Sequence, residues 1–85
     1  MSYNLQFSSG FDKQLKKIHP QDSKRVIKEI EHLQSNPFPK GKKFKRLIGT
    51  KALRLRVGKV RVIYFVNEEE KTVYMEDVAY RKDIY

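Results

Sequence analysis

Eighty-five residues with no cysteine and a formal charge of +9 suit one domain, residues 1–85, built around a single modest core. This composition excludes disulfides and thiolate metal centres, and no apolar run approaches the roughly 18 residues that span a membrane. With a Met-Ser-Tyr-Asn start that has no signal-peptide plan, the chain is expected to be soluble and cytoplasmic, with no cofactor and no metal.

Tyr3, Leu5 and Phe7 alternate with Asn4 and Gln6, the period-two pattern of a short strand. Ser9, followed three residues later by Asp12, matches a capping box with a shorter acid than usual. Phe11, Leu15 and Ile18 then keep the spacing of a short amphipathic helix. His19-Pro20 interrupts it, because proline disfavours helical backbone in the residue before it. Pro20 suits the first turn of a second helix, whose expected buried stripe is Val26, Ile27, Ile30 and Leu33. Asn36-Pro37 and Pro39 end that helix.

Residues 40–51 read as a basic loop, with Phe44, Leu47 and Ile48 expected to anchor it to the core. Three strands follow, at about residues 53–57, 60–66 and 72–78. Gly58-Lys59 suits a two-residue hairpin turn between the first two, and the polar residues 67–71 make the next turn. The order β-α-α-β-β-β predicts an α+β fold, two N-terminal helices packed on one face of an antiparallel sheet.

The charge is unevenly spread. No Asp or Glu lies between Glu31 and Glu68, a window that holds Lys40, Lys42, Lys43, Lys45, Arg46, Lys51, Arg54, Arg56, Lys59 and Arg61. A block of one sign attracts nucleic acid or an acidic protein. Within it, strand alternation puts Leu53, Leu55 and Val57 on one face and Arg54 and Arg56 on the other. An in-register hairpin then sets Arg61 almost opposite Arg56. Like charges across a sheet destabilise it by a few tenths of a kcal/mol to about 1, so the cluster reads either as a solvated face or as a phosphate site. Arg81 and Tyr85 follow the last strand at a four-residue spacing, which brings them together if the end is helical. Arginine stabilises a charged phosphoryl transition state, and nearby cations lower a tyrosine's pKa.

Other residues read as structural. His19 and His32 share no ligand-like spacing, Glu68-Glu69-Glu70 suits a solvated turn, and Glu76 and Asp77 suit pairing with an arginine. Neither a phosphate-binding glycine loop nor a Ser or Cys nucleophile signature is present.

The stretch Arg56-Val57-Gly58-Lys59-Val60-Arg61-Val62-Ile63-Tyr64 and the terminal Arg81-Lys82-Asp83-Ile84-Tyr85 resemble the RelE/ParE superfamily of toxins from toxin–antitoxin pairs, over nearly the whole chain. The resemblance implies a ribosome-dependent, metal-independent endoribonuclease that cuts messenger RNA in the A site by 2′-hydroxyl attack. Its partners would be a cognate antitoxin, the ribosome and mRNA, with no membrane. By the same likeness Arg61 and Arg81 hold the phosphate, Tyr85 orients or deprotonates the 2′-hydroxyl, and Arg54 and Arg56 bind RNA and assist proton transfer. Lys42, Lys43, Lys45, Arg46, Lys59 and Tyr80 are the expected further RNA contacts. Two departures stand out: Tyr80 occupies the place where many relatives have histidine, and arginine stands where the first basic pair is often lysine. The alternatives are a ParE-like DNA gyrase inhibitor and an inactive RNA-binding relative.

Overall fold

A helical hairpin carries the chain from one edge of a five-stranded sheet to the other. The computed structural model describes residues 2–81. Its elements are β1 (Asn4–Phe7), α1 (Phe11–Lys16), α2 (Pro20–Leu33), β2 (Phe44–Arg46), β3 (Leu53–Val57), β4 (Val60–Asn67) and β5 (Thr72–Tyr80). The strand order is β1-β5-β4-β3-β2. No helix among the described residues is long and apolar enough to cross a membrane.

The α+β class and the two helices agree with the sequence, but the sheet is mixed rather than antiparallel. β1 pairs parallel with β5, Leu5 opposite Val73 and Phe7 opposite Met75. Alternation in residues 3–7 reports which side chains face the core, not the direction of the neighbouring strand. A second correction concerns the expected basic loop. Phe44–Arg46 is a strand, antiparallel to β3 at the sheet edge, too short for periodicity to reveal.

The helices pack on one face, α1 against β5 and α2 over β3 and β4. Phe11, Ile18, Val26, Ile30 and Leu33 meet Leu53, Leu55, Val60, Val62, Tyr64, Val73, Met75 and Val78 in one core. Ile27, expected in the buried stripe, is 45% exposed, and Ile48 is 97% exposed. Ile48 sits in a tight turn, where Thr50 N–H donates to the Leu47 carbonyl and Gly49 takes φ 81, so the side chain projects outward. The capping box is also absent: Gly10 caps α1 without a side-chain bond. For α2 the cap is His19, whose Nδ1 accepts from Gln21 N–H at 3.2 Å, ahead of Pro20 in the first turn.

Two details of the sheet place the functional face. Gly58 has φ 61 and Lys59 has none above zero, the pattern of a turn with glycine first, which matches the twist of the strands it joins. In β5 the register shifts opposite Ile63 and Tyr64, so Ile63 faces Asp77 while Tyr64 faces Met75. Glu76 is the extra residue, and this bulge lets both Met75 and Val78, three apart, point into the core.

Tyr64 ties the loop after α2 to the sheet. Its side chain is fully buried and its hydroxyl donates to the Pro37 carbonyl at 2.7 Å, while burial pushes its ionisation well above the ordinary phenol range. Tyr64→Phe leaves that buried carbonyl without its donor, an expected loss of about 1–2 kcal/mol. Thermal unfolding reads this as a fall of about 4–16 °C for a chain of this size.

Candidate phosphate-binding site

The sheet face opposite the helices carries the arginines. Arg56 lies directly across from Arg61, and Arg54 across from Ile63 on the same face, as alternation predicts. On the other flank Arg61 faces Ala79 of β5, whose single methyl leaves room for the guanidinium stem. Arg81 joins from the chain end: its N–H donates to the Lys59 carbonyl at 2.8 Å, at the hairpin turn. Four arginines thus gather at one end of the open face, near enough for the charges of Arg54, Arg81 and Arg56 to act on Arg61. Lys45, paired with Arg54, extends the positive charge to the edge.

Burial of Arg61 is the feature that alternation alone does not reveal. It is 3% exposed, whereas arginine is seldom buried. Desolvation lowers its pKa first, and the charges of Arg54, Arg81 and Arg56 lower it further; it remains a cation at neutral pH. Arg54 Nε is also buried, with no hydrogen-bond partner among the described residues. Arg54, Arg56 and Arg81 take no part in the ion pairs formed among the described residues, which join Lys16 to Asp12, His32 to Glu29 and Lys43 to Glu29. Charges of one sign held this close raise the energy of the empty site, and an anion relieves that repulsion on binding.

Arg56→Thr should therefore stabilise the fold by a few tenths of a kcal/mol to about 1, by removing a like-charge cross-strand pair. The gain should shrink at high salt, which screens the repulsion. Thermal melts in low and high sodium chloride check both parts, and the same variant should bind short RNA more weakly.

The expected basic contacts divide between the two faces. Lys42 and Lys59 are exposed, and Lys45 is exposed on the open face. Lys43 is drawn to Glu29 of α2, 3.2 Å away. Arg46 is turned the other way: its partner across the sheet is the core residue Leu53, and its guanidinium lies 5.3 Å from the Phe38 ring centre and 5.8 Å from that of Phe44. The cation and two rings hold one another on the helix side.

Tyr80 is corrected in the same sense. It faces Val60, so its side chain leaves the sheet on the helix side, away from Arg61. There its hydroxyl accepts from His19 N–H at 2.8 Å and donates to Asp22 Oδ2 at 3.1 Å. Both capacities of the phenol serve the join between α1 and α2. Glu76 and Asp77, expected to pair with an arginine, form no ion pair among the described residues; Glu76 is the bulge residue and Asp77 faces Ile63. The expected contribution of Tyr85 lies outside the described residues.

Known proteins share this architecture. Residues 13–81 match the family described as phage derived protein Gp49-like (DUF891). The chain is 33% identical to the Methanocaldococcus jannaschii protein named "Putative toxin RelE1", over 100% of this chain and 97% of that one. Its fold is similar to that in the crystal structure of an archaeal RelE–RelB complex from Pyrococcus horikoshii OT3, with a TM-score of 0.84 and 26% identity, covering 98% of this chain and 99% of that one. A RelB–RelE antitoxin–toxin complex from Methanococcus jannaschii is similar with a TM-score of 0.74 and 30% identity, over 94% of both chains.

Proposed function

Since the chain belongs to the Gp49-like family and is a RelE-like toxin of a toxin–antitoxin system, we propose that it cleaves messenger RNA in the ribosomal A site without a metal. The observation that carries this reading is the buried Arg61 with Arg54, Arg56 and Arg81 around it. A cluster of guanidinium groups whose charges act on one another suits a phosphate that gains charge in the transition state.

In the proposed reaction the 2′-hydroxyl oxygen attacks the adjacent phosphorus and gives up its proton. The bond from phosphorus to the 5′ oxygen breaks, that oxygen takes up a proton, and a 2′,3′-cyclic phosphate remains. Arg61 and Arg81 hold the non-bridging oxygens. Arg54 and Arg56 fix the strand and act as charges, because arginine does not give up its proton in proteins. Tyr85 is assigned the 2′-hydroxyl. Tyr80 is left out of proton transfer, since its hydroxyl serves His19 and Asp22 on the opposite side of the sheet. A cognate antitoxin would silence the toxin by covering the arginine face.

Induction in a bacterial host, followed by mapping of message 5′ ends, tests the proposal. Cuts positioned by codon and abolished when translation is blocked support it. Intact messages together with inhibited DNA supercoiling would overturn it in favour of a gyrase inhibitor; salt-sensitive RNA binding without growth arrest would indicate an inactive relative.

A further inference from the structure

The open face continues beyond the arginines. Past Ile63 on β4 the next residue on this face is Phe65, and its partner across the sheet is Tyr74 of β5. Both side chains are half-buried. With Lys51, Asn67, Glu68 and Glu69 they line a concavity of about 520 Å³. Phe65 is four residues from Arg61, ~13 Å along the strand at the usual rise.

The groups around these rings indicate what they suit. The Tyr74 hydroxyl is bonded to the Glu70 carboxylate, which raises its ionisation and keeps the ring neutral. Asn67 Oδ1 accepts from Glu70 N–H at 2.9 Å, so its amide N–H groups point elsewhere. Glu68 accepts from the Tyr3 hydroxyl at 2.5 Å, and Lys51 supplies a cation on the rim. An aromatic floor edged by carboxylates repels a phosphate yet suits a base, which has a π-face to stack and an edge with donors to give. The opposite end of the same face, rich in guanidinium groups, suits the sugar–phosphate backbone.

Resting on the RNA reading above, we propose that Phe65 and Tyr74 form a base-stacking subsite for a nucleotide of the same strand whose scissile phosphate lies on Arg61. The carboxylate rim favours bases that carry an exocyclic amino group, so uracil is the weakest occupant.

Phe65→Leu keeps an apolar side chain and removes the π-face. The probes are a short single-stranded RNA and the same strand carrying abasic sites, titrated by fluorescence anisotropy at low salt. Wild-type protein should bind the base-bearing strand about fivefold or more tightly than the abasic one. Phe65→Leu should erase that difference while binding the abasic strand as wild type does. Equal wild-type affinity for the two strands, or a Phe65→Leu loss shared by both, overturns the subsite. Tyr74→Leu serves as the second variant, with the same two outcomes, should Phe65→Leu fail to fold in a thermal melt. Arg61→Ala separates the two ideas. It should weaken both strands alike, and unchanged binding of the abasic strand would sink the phosphate reading while the comparison of the two strands still reports on the aromatic pair.

Discussion

Replacement of Arg61 by alanine is expected to slow translation-dependent message cleavage by about 10²–10³-fold, the usual loss when one preorganised donor to a developing oxyanion is removed. Arg61 lies in the central strand between Arg56 on one side and Ala79 on the other, and the residue is almost fully buried. A donor that need not reorganise, in a place where water screens poorly, contributes more than the same group on a flexible surface chain. The rate is to be read in single-turnover cleavage on programmed ribosomes, with saturating toxin so that weaker binding does not masquerade as slower chemistry. Arg61→Lys keeps the charge but loses the planar fork, so it should recover only part of the rate. A variant that cleaves at the wild-type rate would remove Arg61 from the reacting phosphate.

The second large effect is expected at Tyr85. Tyr85→Phe should lower the cleavage rate by about 10²–10⁴-fold, the range for a positioned acid–base group, while ribosome co-sedimentation stays close to wild type. Phenol ionises near pH 10 in isolation, and a cation beside any phenol favours the phenolate. With Tyr85 as the base, wild-type cleavage should rise with pH as the phenol deprotonates. Tyr85→Phe should lose that rise. A variant with the wild-type profile would leave proton transfer to another group and reduce Tyr85 to binding. Tyr80→Phe is the informative control, because it retains the ring and disturbs only the bonds to His19 and Asp22. Its cost should appear in thermal stability rather than in the cleavage step.

The arginine hairpin was legible in the chain because two local rules fix it. Side chains alternate along a strand, and the glycine turn at Gly58-Lys59 sets which residues face each other; hence Arg56 opposite Arg61. Those rules do not reach residues whose placement depends on a non-local contact. Arg46, expected with its basic neighbours to contact RNA, lies one residue of alternation from Lys45 and is turned onto Phe38 and Phe44. Tyr80, an expected RNA contact at the place where many relatives have histidine, pairs with Val60, and this sends its side chain to the helices.

By itself, then, the sequence determined the α+β class, both helices, the three C-terminal strands and the grouping of Arg54, Arg56 and Arg61, all of which follow from periodicity, turn chemistry and charge within short windows. Tertiary structure alone decided the parallel pairing of β1 with β5, the β2 edge strand, the bulge at Glu76, the exposure of Ile27 and the burial of Arg61. Each of these depends on which distant segment lies alongside. A strand's partner, its direction and a one-residue register shift are set by the packing of the whole core. No local pattern in the chain carries that information.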